Sequence, residues 1–419
     1  MLRQPRVTPA RILAGLGLLG ALAWWLRTSA RALDVYSGNS DFAVVITAGR
    51  RLWSGAAVYR PFDLSIGTAF QTGSSSISYP PSAFVVLAPW IALPDPWSGV
   101  TWLAVQWAAL AAVIGAVYLA IGRPSVVEGA VAVAACLALY PVRDCLGEGQ
   151  FGTVLVALAA VALLAHERGR PGVGGIALGL GIALKLNPVL VVPLFLYLRS
   201  YRLLGWALAT VVVVCAVTLV VGWGPRWVEY LQLVGPLGRG TALSANQGLN
   251  GFLLRLWRPD LVGQPITDLP VWFRAAWYGG DLAIAAGAAW LVRRVGVDTP
   301  LGRWTALGIA LTAVALVEPF AWVHHLVGLV LLVVVGARLI ATRTPARWAT
   351  AVVAGLVLFL AVGARYTVIL PSEAGFDLPA PGITRSLVFA ATVAVAGVVG
   401  GVLFQRALAT APAARLRSK

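Results

Sequence analysis

Charge is scarce in this chain. Of 419 residues only 11% are Asp, Glu, Lys or Arg, while 59% are apolar, and mean hydropathy is +0.84. A soluble chain carries about 25% charged residues. The length alone would allow two or three soluble domains, but there is too little charge to coat a water-facing surface of that size. A surface facing lipid removes the shortage, and the chain reads as an all-α polytopic membrane protein. Cysteine is equally rare. Cys136, Cys145 and Cys215 cannot build a disulfide framework, and Cys136 and Cys215 stand in apolar runs, as packing residues do. Three histidines without a Cys/His cluster leave no zinc pattern. The sequence has no Walker-type loop and no G-x-G-x-x-G after a strand. It shows no matching halves of the kind that build secondary transporters. A signal-cleavage site is missing too: the apolar run at 12–26 holds Trp24 and Trp25 and is followed by Arg27. That run reads as a first span or signal anchor.

What is present is basic charge and long apolar runs. A net charge of +16 could point to nucleic acid, but the basic residues are scattered between apolar runs, where they set orientation instead. A span takes roughly 20 apolar residues. Candidate spans cover 12–26, 97–121, 126–140, 151–165, 204–221, 271–292, 304–317, 326–340, 348–364 and 386–404. Two short runs, 174–184 and 188–198, flank Lys185-Leu186-Asn187 and form either a tight pair of short spans or one broken span. The run 83–93, between Pro80-Pro81 and Pro94, is expected to be a re-entrant or surface helix. With the N-terminus inside, more than half of the 32 basic residues fall on one face. This gives roughly 12 crossings with both termini cytoplasmic. Outer loops then lie at 27–82, 222–270 and 365–385, and a basic tail at 406–419 is placed to touch anionic membrane lipid. Most polar and acidic residues gather on the extracytoplasmic face.

Several stretches on that face could carry chemistry. Ser40 or Asp41 suits a helix N-cap. Phe42, Val45, Ile46, Gly49 and Leu52 follow at helical spacing, so an amphipathic surface helix is expected in the first outer loop, closed by Gly55. Asp41 is then either a plain cap or a carboxylate held at the surface as a general base. Tyr79-Pro80-Pro81 reads as a stiff boundary turn. Gly149-Gln150 marks a helix start, and Asn246-Gln247 and Asn250 lie in an amide-rich loop that could read hydroxyls. Arginine can grip phosphate. Glu318, Trp322, His324 and His325 crowd eight residues at a span entrance, and ionisable groups at membrane depth are functional candidates by default.

Taken in order, these stretches resemble a known family. Asp41-Phe42 opens a helix ending in Gly55-x-x-x-Tyr59. Tyr79-Pro80-Pro81, Gly149-Gln150 and Lys185-x-x-Pro188 follow. Then come Asn246-Gln247-x-x-Asn250-Gly251-x-x-x-Arg255 and Pro319-x-x-Trp322-x-His324-His325. The ordered set is similar to the polyprenyl-phosphate-dependent integral membrane glycosyltransferases of the GT-C class, family 87, which includes alpha-mannosyltransferases and arabinofuranosyltransferases of envelope lipoglycans. The resemblance implies a GT-C fold over 1–405, in a plasma-membrane protein whose active site opens outside. It implies inverting transfer from polyprenyl-phospho-mannose to a glycolipid or lipoglycan acceptor, with no cofactor, no metal and no nucleic-acid partner. On it, Asp41 matches the catalytic base. His324 or His325 supports the departing phosphate, with Arg255, Lys185 and Arg143 behind them. Tyr59, Tyr79, Gln150, Asn246, Gln247, Asn250, Glu318 and Trp322 form the implied substrate-binding set. Glu318 departs from the family pattern, where many members carry Ser. The His pair favours the mannosyl branch. Three alternatives stand beside it: an arabinofuranosyltransferase using polyprenyl-phospho-arabinose, a lipid or solute transporter, and a structural membrane subunit.

Overall fold

Within hydrocarbon an unpaired backbone group is too costly to leave, so an open chain crosses as helix. The computed structural model describes residues 8–36, 38, 40–59, 79–237, 239–258, 268–342, 347–364 and 386–403. Residues 60–78 and 259–267, parts of the loops expected at 27–82 and 222–270, the loop expected at 365–385 and the tail 406–419 lie outside the described residues. Among those described, regular structure is helical apart from one isolated bridge between Asn246 and Trp322.

The chain opens with α1 (Pro9–Tyr36), α2 (Asp41–Trp53), and the short α3 (Pro81–Val86) and α4 (Ala88–Ala92). It continues through α5 (Trp97–Ile121), α6 (Val126–Ala138), α7 (Tyr140–Glu148), α8 (Gly152–Glu167) and α9 (Pro171–Leu184). A 3₁₀ turn (Asn187–Val191) leads to α10 (Val192–Tyr197), α11 (Tyr201–Val220), α12 (Gly224–Leu237), α13 (Leu249–Trp257), α14 (Val271–Val295) and α15 (Pro300–Val317). A second 3₁₀ stretch (Val323–Gly328) precedes α16 (Leu329–Thr342), α17 (Arg347–Leu358) and α18 (Leu387–Gly397).

Composition made the helical class plain, but the span count is lower than expected. Among the described residues five stretches are long and apolar enough to cross a membrane, or six if α6 and α7, bent by 54° across Leu139, form one broken span. The remaining apolar helices run 10–17 residues. Their shortness has local causes. Pro141 follows the bend at Leu139, and Pro188 follows the break at Lys185, whose backbone is extended (φ −152°, ψ 133°). α14 is 25 residues long but carries Arg274, Asp281, Arg293 and Arg294. The run 83–93 folds as α3 and α4, and together they rise less than about 20 Å, too little to cross.

α11 holds five consecutive β-branched residues, Thr210 to Val214. Such a run is unfavourable for helix in water; in lipid no alternative backbone pairing competes. Its Trp206, Leu208, Val213 and Val220 point outward, as do Leu13, Leu16 and Leu19 of α1, whereas α15 and α16 are buried over most of their length. α9 meets α11 through glycines. A Cβ on Gly175 would come 2.9 Å from Ala207 N, and one on Gly179 2.6 Å from Ala207 O. This is the small-residue contact that lets membrane helices close on one another.

Ion pairs fix which helix ends lie together. Arg303 at the start of α15 meets Glu167 at the end of α8 at 2.7 Å. Arg338 near the end of α16 meets Glu128 in the first turn of α6 at 3.1 Å. The opposite ends of α8 and α15, Gly152 and Glu318, are about 20–25 Å away along the helices. Both lie beside the residues described next.

Candidate active site

Ser40 is the N-cap of α2, its Oγ accepting from Ala43 N at 3.2 Å. Asp41 is therefore not needed as a cap. It stands in the first turn, where the helix dipole favours an anion. Its Oδ2 accepts a hydrogen bond from Gln150 Nε2 at 2.5 Å. Tyr79 determines which way that amide faces. Burial pushes the Tyr79 phenol well above its ordinary range, so it stays protonated. It donates to Gln150 Oε1 at 2.9 Å, which leaves only the amide N–H₂ to face Asp41. Tyr59 extends the chain by donating to Tyr79 O at 2.9 Å.

The turn that presents Gln150 is built by its neighbours. Gly149 closes α7 with φ +65°, and a Cβ there would come 2.5 Å from Phe42 Cβ and 2.9 Å from Tyr36 Cε1. Both the left-handed backbone and the close approach call for glycine. Trp102 Nε1 donates to Gly149 O at 2.7 Å, and Gln106 Nε2 to Gln150 O at 2.8 Å. Phe42, Trp102, Phe151 and Tyr79 form a row of aromatic contacts, centroids 5.1–5.3 Å apart, beside it. The Gly-Gln pair thus reaches Asp41 through a packed turn rather than a loose loop.

A second chain of polar groups stands opposite. Lys185 Nζ lies 2.7 Å from His325 Nε2. Ammonium only donates, so Nε2 accepts and the imidazole proton sits on Nδ1. Nδ1 is 2.6 Å from Glu318 Oε2, though off the hydrogen-bond axis. Burial pushes the Glu318 carboxyl up to about 7, against the opposing pull of Lys185, the Asn187 side chain and His324. His324 lies beside His325, ring centroids 4.9 Å apart. Its Nδ1 is 3.0 Å from Asp144 Oδ2, while its buried Nε2 has no hydrogen-bond partner. Burial pushes the Lys185 ammonium below its ordinary range, opposed by the charges of Glu318 and Asp41, so acids of both chains act on it. Ser82 Oγ, donating to Ala183 O at 2.7 Å, ties the Tyr79-Pro80-Pro81 turn to the end of α9 that carries Lys185.

The amide-rich loop is a frame behind the histidines. Asn246 Nδ2 donates to Thr241 O and Pro319 O, both at 2.9 Å, and its Oδ1 accepts from Ala321 N at 2.9 Å and Gly248 N at 3.3 Å. Gln247 N donates to Ala321 O at 2.7 Å, and its Oε1 accepts from Phe389 N at 3.0 Å. Asn250 Nδ2 donates to Arg239 O at 3.3 Å. Arg255, buried, donates to Ser386 Oγ at 3.0 Å and to Leu243 O and Asn246 O at 2.8 and 2.7 Å. The Arg143 guanidinium lies 3.8 Å over the Trp24 ring and donates to Ala361 O. Trp322 is half-buried, its backbone held by the Asn246 bridge.

Of the sequence-singled residues, the structure brings Asp41, Gln150, Tyr79 and Tyr59 into one chain and Lys185, His325, Glu318 and His324 into another. It sets Asn246, Gln247, Asn250 and Arg255 behind them and Arg143 aside. Asp144 and Glu148 were missed. Glu148 accepts a hydrogen bond from the Asp41 backbone and lies within the fields of Asp41 and Asp144. The available signal was an acid at each end of Asp144-Cys145-Leu146-Gly147-Glu148, inside a short helix between apolar runs.

The model of glycosyltransferase family 87 matches residues 78–319, more than half of the chain. A polyprenol-phosphate-mannose-dependent alpha-(1-2)-phosphatidylinositol mannoside mannosyltransferase of Mycolicibacterium smegmatis is 30% identical over 380 residues, 82% of each chain. A protein of the same description from Mycobacterium tuberculosis is 31% identical over 223 residues, 52% of this chain and 49% of its own. No solved structure matches. The chain belongs to glycosyltransferase family 87. It is an enzyme that moves a sugar, and its membrane-length apolar helices place it in a membrane.

Proposed function

We propose that this chain transfers a mannosyl residue from polyprenyl-phospho-mannose to a hydroxyl of a glycolipid on the extracytoplasmic face, with inversion at the anomeric carbon. The observation that carries the reading is the pairing of an oriented carboxylate, Asp41, with a buried cluster of nitrogen groups, Lys185–His325–His324, at one end of the bundle. The similar proteins use this donor by name and act on a phosphatidylinositol mannoside, which makes an acceptor of that kind the first choice here.

The arrangement suits the chemistry. Asp41 takes the proton of the acceptor hydroxyl as that oxygen bonds to the anomeric carbon. The carbon–oxygen bond to the donor phosphate breaks, and its electron pair leaves on polyprenyl phosphate. Lys185 and the free His324 Nε2 are the groups to hold that phosphate as charge develops. Glu318 and Asp144 orient the two imidazoles. Asn246 and Arg255 hold the 318–325 segment in register, and Tyr59, Tyr79 and Gln150 orient Asp41. Trp322 offers an aromatic face to a sugar. The unit spans 1–405 with both termini cytoplasmic and roughly 12 crossings if the shorter apolar helices are counted, and the tail 406–419 faces cytoplasmic lipid.

The test is purified protein in nanodiscs, given either polyprenyl-phospho-mannose or polyprenyl-phospho-arabinose with phosphatidylinositol mannoside. Label passing from the mannosyl donor alone is the expected result. Transfer from the arabinosyl donor alone would move the chain to the sister branch. Silence with both would overturn the donor assignment.

A further inference from the structure

The reacting groups leave one strongly basic feature unused. Trp24, Arg27 and Arg31 stand at i, i+3 and i+7 on one stripe of α1, and with Ala23 they line a cleft of about 550 Å³. Among the described residues neither Arg27 nor Arg31 has a hydrogen-bond or ion-pair partner, and no carboxylate lines the cleft. The guanidinium of Arg143 stacks on Trp24, one of the lining residues, at 3.8 Å.

Position argues for a lipid-borne ligand. The outward-facing apolar side chains of α1 are dense up to Leu26 (Leu13, Leu16, Leu19 and Leu26), and beyond Arg27 only Leu33 joins them. The run 12–26 rises about 22 Å. Counted on to Arg31 the rise is about 30 Å, the hydrocarbon thickness, so Arg31 stands at headgroup level and the long side chain of Arg27 reaches it. On the orientation proposed above this is the outer face, where unpaired arginine runs against the positive-inside bias and needs another reason to be there.

The cleft is also close to the chemistry. Arg31 precedes Tyr36 by five residues, about 7.5 Å of helix. Tyr36 packs on Phe42, ring centroids 5.4 Å apart, next to Asp41. Arg143 is followed by Asp144, the partner of His324. An acceptor that is both a glycan and a phospholipid carries its phosphodiester at the membrane interface, separated from the reacting hydroxyl by the sugars between. Arg27 and Arg31 stand at the depth such a phosphodiester occupies, and guanidinium is the side chain that meets two phosphate oxygens at once.

We propose that the α1 cleft is a subsite for the phosphodiester of an anionic glycolipid acceptor, an assignment that rests on the glycosyl-transfer reading above. The experiment compares wild type with Arg27→Gln/Arg31→Gln in phosphatidylcholine nanodiscs, with polyprenyl-phospho-mannose as donor. Two acceptors are used: phosphatidylinositol mannoside and a neutral alkyl mannoside without phosphate. The expected result is a rise in KM for the phosphorylated acceptor of about tenfold for each guanidinium removed, with the donor KM unchanged. The preference for the phosphorylated over the neutral acceptor collapses accordingly. An equal loss with both acceptors, or a change confined to the donor KM, overturns the assignment. A binding measurement separates this from the functional reading. In detergent, phosphatidylinositol mannoside should raise the melting temperature of wild type more than the neutral mannoside does, and the double variant should lose that difference. No difference in wild type refutes the subsite whether or not transfer is seen.

Discussion

Replacing Gln150 with glutamate changes one contact at nearly constant shape. In the native protein the Gln150 N–H₂ donates to Asp41 at 2.5 Å while its oxygen accepts from Tyr79. Glutamate keeps an oxygen for Tyr79 and turns the donor into a second carboxylate. Two unit charges about 4 Å apart at an effective dielectric near 20 repel by about 4 kcal/mol, or about 3 pH units at 1.36 kcal/mol per unit. The pair therefore holds one proton up to about pH 7, although a free aspartate releases it near 3.9. A shared proton disables the base. For Gln150→Glu, kcat for mannosyl transfer, with donor and acceptor saturating, should fall about tenfold between pH 8 and pH 6, a range in which wild type should not show this limb. Gln150→Leu separates the two effects of the change: it removes the donor without adding charge, so it should lower the rate with no new pH limb. The assay is initial-rate transfer of radiolabelled mannose across that pH range. A Gln150→Glu profile that overlays wild type would refute the reasoning, since the amide would then not face an ionised Asp41 in the working enzyme.

Three further outcomes follow from the same geometry. Glu318, with its carboxyl pushed up to about 7, loses its charge below that pH and leaves Lys185 unopposed, so the KM for the anionic donor should rise with pH through about 7. In Glu318→Gln that rise should vanish, with a donor KM at pH 8 about tenfold lower than wild type. Gly175→Val drives a side chain into the α11 backbone near Ala207 and should cost about 1–3 kcal/mol or more. It is read as a lower melting temperature in detergent, with Gly172→Ala, whose nearest neighbour is Trp206 at 3.7 Å, as the tolerated control. Asn246→Ala strips partners from Ala321 N, Gly248 N, Thr241 O and Pro319 O. Each group left unsatisfied costs about 1–3 kcal/mol, so both stability and activity should fall, and Asn246→Asp, which keeps only the acceptor, should fall in between.

The sequence was informative where a residue acts through its own neighbours. Phe42, Val45, Ile46, Gly49 and Leu52 recur at helical spacing, and α2 forms over Asp41–Trp53 with that face buried. Lys185 between two short apolar runs marked a break, and the backbone is extended there. Contacts across long separations were not legible. Nothing local says that Gln150 will meet Asp41, 109 residues earlier, or that Lys185 will meet His325, 140 residues later. The same limit explains Arg143, whose partners Trp24 and Ala361 come from distant helices. It also explains Asn246: an amide in a loop looks available to a substrate until its four partners are known. Span counting by hydropathy misses helices cut short by Pro141 and Pro188, because a break and a loop look alike in a one-dimensional profile.

The most direct test of the account is the rate of mannosyl transfer by Asp41→Asn with donor and acceptor saturating, beside a measurement of donor binding. Asparagine keeps the size and can still pair with Gln150, but it cannot take a proton at neutral pH. The account predicts a rate lower by about 10²–10⁴-fold, the usual contribution of a general base, with donor affinity within a few-fold of wild type. Transfer by Asp41→Asn at close to the wild-type rate would contradict it.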